Sequence, residues 1–88
     1  MTLMTNELIF YTTEGCHLCE QAQVLLQDLL REYPAKYQIE IVDIVDSEAL
    51  IQQYGTRIPV LVNVGAKEDL GWPFDYQSLL HFISIANA

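Results

Sequence analysis

Apolar positions along this 88-residue chain recur at two different periods, and the switches between them mark its elements. Residues 7–12 carry Leu8, Ile9, Phe10 and Tyr11 without interruption, the length and character of a strand covered on both faces. The turn Thr13-Glu14-Gly15 ends it. From there Leu18, Ala22, Leu25, Leu26, Leu29, Leu30 and Tyr33 recur at helical spacing, with Glu20, Gln23, Gln27, Asp28 and Arg31 opposite them. Pro34 stops this helix and forces Tyr33 out of helical geometry.

Residues 37–45 are rich in Ile and Val and bounded by Asp46 and Ser47, which predicts a second buried strand. Asp46 or Ser47 then caps a short helix through Tyr54, with Gly55 suited to its left-handed C-terminal position. Pro59 opens a third strand over 60–64, and a hairpin turn at 65–67 leads into a short fourth near 68–70. The last element is a helix over 76–86, capped by Asp75 and stapled by Phe74 and Leu79, with Leu79, Leu80, Ile83 and Ala86 facing the sheet. The order β-α-β-α-β-β-α predicts an α/β fold whose strand-helix-strand units make right-handed parallel crossovers, with helices on both faces.

A hydrophobic fraction of 51% with 18% charged residues is that of a folded chain, and 88 residues make one domain, 1–88, with only 1–6 loose. The net charge of −8 repels phosphate backbones and anionic membranes, so neither nucleic acid nor membrane is expected as a partner. The first residues contain neither a basic cluster nor an apolar signal region, and no run reaches the roughly 18 apolar residues of a membrane span. A cytoplasmic monomer is expected.

Charge excludes partners; the chemistry lies in Cys16-His17-Leu18-Cys19. Two cysteines are too few for a secreted disulfide scaffold, and in a reducing compartment a close pair reads as catalytic or metal-binding. Besides His17, only His81 could add an imidazole, and there is no second C-x-x-C, so no closed zinc site is expected. Glu20 stands where c-type haem attachment needs histidine.

Thiol-disulfide exchange needs a reactive thiolate and a second thiol to resolve the mixed disulfide. At the start of a helix Cys16 lies among unpaired N–H groups at the positive end of the dipole, and Cys19 lies on the same side, about 5 Å away. Lowering a thiol pKa from about 8.5 to about 6.5 raises the thiolate fraction at pH 7 about 20-fold and lowers intrinsic nucleophilicity about 8-fold. The net gain in attack is about threefold, so the larger effect is a better leaving group and a more oxidising disulfide. Glu14 and Glu20 oppose the thiolate, while the dipole and a protonated His17 support it. His17 is thus a candidate for tuning or proton transfer, against the plainer reading of a solvated helix-start residue.

Residues 11–20 (YTTEGCHLCE), 42–44 (VDI) and 54–61 (YGTRIPVL) resemble the glutaredoxin-like branch of the thioredoxin superfamily, and more closely its small bacterial members with G-C-x-L-C. The resemblance runs from Glu7 to Phe82. It implies a thioredoxin-like fold with a four-stranded mixed sheet, and a thiol-disulfide oxidoreductase with Cys16 and Cys19 as its catalytic pair. It also implies a cis Ile58–Pro59 peptide beside the disulfide, the Ile58 backbone pairing substrate like an added strand. Arg57 would grip a carboxylate such as that of glutathione, and Asp75 would match the residue that holds its γ-glutamyl end. No resident cofactor is implied; glutathione enters as reductant or co-substrate, and the partner is a disulfide-bearing protein or glutathione.

The chain departs from the glutaredoxin pattern in lacking C-P-Y-C, a lysine shortly before Cys16, and a Gly-Gly pair, since 70–75 read LGWPFD. It departs from thioredoxins in having Gly15 where tryptophan precedes the first cysteine, and Ile9 and Phe10 where a buried aspartate stands. Two other readings stay open: a non-catalytic module holding its partner at Pro59, and a metal or iron-sulfur site shared between two chains through Cys16.

Overall fold

The computed structural model describes residues 6–34, 36–65 and 67–86, with the side chains of Asn6 and of 84–86 outside that description. The expectations for a loose segment at 1–5 and for Ala86 on the sheet face fall outside the described residues and side chains; Asn6, expected loose as well, instead begins a strand. The elements are β1 (Asn6–Thr12), α1 (His17–Glu32), β2 (Tyr37–Asp43), a 3-10 turn (Ile44–Asp46), α2 (Glu48–Tyr54), β3 (Val60–Asn63), β4 (Glu68–Gly71) and α3 (Tyr76–Ala86).

They build a four-stranded mixed sheet in the order β2-β1-β3-β4. β1 runs parallel to β2, pairing Leu8 with Ile39 and Thr12 with Asp43, and antiparallel to β3, pairing Tyr11 with Val60. Alternation along the strands sends Leu8, Phe10 and Leu61 to one face, where Ala22, Leu26 and Leu29 of α1 and Leu79 and Ile83 of α3 bury them. On the other face Ile44, Tyr54 and Val60 form a smaller cluster with Tyr11, Leu50 and Val62, and the Tyr11 and Tyr54 rings stack at 4.4 Å. Helices therefore cover both faces.

Only the first strand-helix-strand unit is a parallel crossover, which corrects the expectation of two. α1, at 16 residues, is about 24 Å long and returns the chain along the full length of the seven-residue β1, about 23 Å. α2 has seven residues, about 10 Å, and cannot make that return. β3 accordingly starts near the end where β2 stopped and runs antiparallel.

β2 is an edge strand, not a buried one. Tyr37 is buried, while Gln38, Glu40 and Ile41 are exposed. It also ends at Asp43, two residues short of the expected boundary, because the Asp43 carboxylate accepts the Val45 N–H at 3.0 Å and bends the chain into the 3-10 turn. Ser47 caps α2, its hydroxyl accepting from the Leu50 N–H at 3.3 Å. Gly55 follows in right-handed geometry (φ −56), not the left-handed one expected; a Cβ there would run into the Ile51 carbonyl oxygen, which explains the glycine on other grounds.

Tyr33 leaves helical geometry before Pro34, as read from the sequence. The buried face of α1 is narrower than its apolar spacing suggests: Ala22, Leu26 and Leu29 are buried together with Cys19, whereas Leu18 is 46% exposed. At the far end of α1 the Tyr76 hydroxyl donates to the Glu32 carboxylate at 2.8 Å, and burial together with that carboxylate pushes the phenol up to about 12.

The narrowed face is testable by urea denaturation. Leu26→Ala is expected to cost about 2–5 kcal/mol and Leu18→Ala less than about 1 kcal/mol. Equal losses would return Leu18 to the core.

Candidate functional site

The carboxyl end of β1 delivers the chain into α1 through a turn that needs glycine: Gly15 has φ +81, a region other residues enter only with strain. The turn sets Cys16 in extended geometry at the N-cap of α1. The Cys19 N–H donates to Cys16 Sγ at 3.1 Å, so a sulfur serves where a serine or aspartate oxygen commonly caps a helix. Cys16 and Cys19 are joined in a disulfide, with Cα atoms 5.2 Å apart.

The two sulfurs have unequal surroundings. Cys16 is half-buried at the surface, whereas Cys19 is 2% exposed and belongs to the core cluster of Phe10, Ala22 and Leu26. An incoming group reaches Cys16. When the disulfide opens, the helix dipole and the Cys19 N–H favour negative charge on that sulfur.

The remaining candidates divide by position. Pairing of Tyr11 with Val60 brings the Ile58–Pro59 step level with the chain leaving β1 for Cys16, and both Ile58 and Cys16 pack on the main core. The Ile58–Pro59 peptide is cis, and so is Trp72–Pro73, which the sequence reading did not single out. The Ile58 N–H donates to the Tyr54 carbonyl at 3.0 Å, and the Pro59 carbonyl accepts from Trp72 N–H at 3.1 Å.

Arg57 is already held. Its guanidinium donates to both Asp69 carboxylate oxygens, at 2.7 and 3.4 Å, and lies 5.7 Å from the Tyr54 ring centroid; hydrogen bonding to Asp69 raises its pKa. Both partners are about two-fifths exposed, so the pair is worth less than about 1 kcal/mol. It nonetheless occupies the fork that a substrate carboxylate would use. Asp75 caps α3 by accepting the Ser78 N–H at 2.8 Å, which holds its carboxyl below the ordinary range. His17 projects outward with a 91% exposed side chain, its Nδ1 3.8 Å from Glu20 Oε1.

On the β2 side of the disulfide a groove of about 400 Å³ lies between the 12–15 turn, the first turns of α1 and the end of β2. Glu14, Glu20, Asp43 and Ile41 line it together with both cysteines. Glu14 and Glu20 are visible beside the motif in sequence. Asp43 and Ile41 join it only through the pairing of β2 with β1, which no local pattern announces. Two larger hollows, of about 550 and 650 Å³, lie away from the cysteines, along β1 and β2 and between β4 and α3; the cysteine pair lines the smaller one.

Among the described residues no helix is long and apolar enough to cross a membrane. A family model described as glutaredoxin-like domain (DUF836) matches residues 7–84. Among solved structures, target protein XcR50 from X. campestris is 33% identical, with a TM-score of 0.75 over 89% of this chain and 96% of that one. Protein Ne2328 from Nitrosomonas europaea is 28% identical, with a TM-score of 0.73 over 93% and 95%. Thioredoxin-2 of the malaria parasite, at 16% identity and a TM-score of 0.71 over 92% and 82%, shares the fold. No curated protein matches the chain. The fold is thioredoxin-like, and a cysteine pair placed this way on it supports a redox-type role.

The capping role of Asp75 predicts a pH signature. A carboxyl held lower in the folded state stabilises above its unfolded value, and that contribution is lost as pH falls through the folded one. The urea midpoint is expected to drop as pH falls below about 3.8, and Asp75→Asn to flatten part of that drop. A variant curve parallel to that of the unaltered protein would remove the cap from the explanation.

Proposed function

Because the chain belongs to the glutaredoxin-like domain family, we propose that it is a thiol-disulfide oxidoreductase, with Cys16 as nucleophile and Cys19 as resolving thiol. The observation that carries this reading is the asymmetry of the pair: one sulfur accessible at a helix N-terminus, the other buried behind it within bonding reach.

In the reduced protein the Cys16 thiolate attacks a substrate disulfide R–S–S–R′, forming Cys16–S–S–R and expelling R′–S⁻. The Cys19 thiol gives up its proton, which neutralises a departing thiolate, and attacks Cys16 Sγ. R–S⁻ leaves, and the Cys16–Cys19 disulfide forms. Two electrons pass from the protein to the substrate, and a thiol reductant, glutathione or a dithiol, restores the pair. The N–H of Cys19 and the α1 dipole assist the steps in which charge rests on Cys16.

Substrate alignment falls to Ile58–Pro59, which the β1–β3 register sets beside the chain leaving β1 for Cys16. Since the Ile58 N–H is used by Tyr54, a strand-like substrate would be held through the Ile58 carbonyl, a one-sided form of the pairing that the resemblance implies. The bound state of Arg57 favours a protein disulfide over glutathione as substrate. The exposure of His17 beside Glu20 supports its reading as a residue that a docked partner would touch.

Cys19→Ser is expected to accumulate mixed disulfides on Cys16 when incubated with disulfide-bearing proteins or glutathione disulfide, read by non-reducing electrophoresis and intact mass. Cys16→Ser should accumulate at least about tenfold less, because the remaining thiol is buried. Failure of Cys19→Ser to form any adduct would falsify the exchange reaction.

A further inference from the structure

Building on this exchange reaction, we propose that the substrate is a polypeptide disulfide whose cysteine is flanked by basic residues, and that Glu14, Glu20 and Asp43 select it. The site is the groove that both cysteines line; the carboxylates decide what enters it. Three of them surround it, and no lysine or arginine is among its lining residues. Among the described residues the basic group within 4 Å of Glu20 is Nδ1 of His17 at 3.8 Å, which is charged only when protonated. Asp43 is fixed in place by the Val45 N–H, so its charge stays at the groove wall.

An independent observation on the opposite flank points the same way. Arg57, on the Ile58–Pro59 loop, is neutralised by Asp69. An anionic substrate such as glutathione disulfide therefore meets carboxylates on one side and an occupied guanidinium on the other. A lysine or arginine one or two residues from the target cysteine reaches the carboxylates, since an extended chain advances about 3.3 Å per residue. Ile41, 53% exposed in the groove, adds apolar contact that suits a polypeptide better than a small cation.

The test uses pre-reduced protein in single turnover, which needs no physiological reductant. Three peptide disulfides, identical except for Lys, Gln or Glu on both sides of the cysteine, are compared, each rate divided by that with free dithiothreitol to remove intrinsic reactivity. The Lys peptide is expected to react at least about tenfold faster than the Glu peptide at low ionic strength, the ratio falling towards one near about 0.5 M salt. Glu14→Gln/Glu20→Gln/Asp43→Asn should reduce the ratio to within about threefold, while Glu7→Gln/Glu32→Gln/Glu68→Gln, equal in charge but at the far ends of β1, α1 and β4, keeps at least about half of it. Equal rates for the three peptides, or equal loss in the two triple variants, would overturn the selection by these residues while leaving the exchange reaction standing. No reaction with any peptide, the uncharged one included, would overturn both.

Discussion

The start of α1 is held by a sulfur. An N-cap must offer an acceptor to one of the N–H groups that the first helical turn leaves unpaired, and here that acceptor is Cys16 Sγ, 3.1 Å from the Cys19 nitrogen. Structure and chemistry thus depend on one contact. The cap orients Cys16, the same N–H faces any charge that develops on its sulfur, and the helical geometry it starts places Cys19 behind it. Gly15 makes the contact attainable by turning the chain sharply between the strand and the helix.

The sheet supplies the rest of the site through register. β1 is central, so its carboxyl end is flanked on one side by the end of β2 and on the other by the start of β3. The first neighbour brings Asp43 and Ile41; the second brings Ile58 and Pro59. The short α2 matters here because it keeps the connection near that end of the sheet. A longer helix would have carried β3 into a parallel arrangement and left the proline loop at the opposite end from the cysteines.

What the sequence discloses is local, and what it conceals is mostly between segments. Consecutive apolar residues around Phe10, helical spacing from Leu18 to Tyr33 and the stop at Pro34 marked β1 and α1, and C-x-x-C at their junction marked the chemistry. The edge position of β2 was hidden because Ile and Val favour strands whether one or both faces are covered. Spacing assigns Leu18 to the apolar face of α1 without saying whether anything covers the first turn, and nothing buries it there. The engagement of Arg57 by Asp69 joins positions twelve residues apart through the β3-β4 hairpin, and reading Arg57 alone made it look available.

Cys19 is a member of the main core as well as half of the disulfide. The folded chain therefore holds this buried sulfur among Phe10, Ala22 and Leu26, and any difference in how well that cluster packs around a thiol or a disulfide enters the equilibrium between the two forms. Interior and surface are in this sense one thermodynamic system. Evolution can adjust the electron affinity of this protein by repacking interior side chains, leaving its exposed face unaltered.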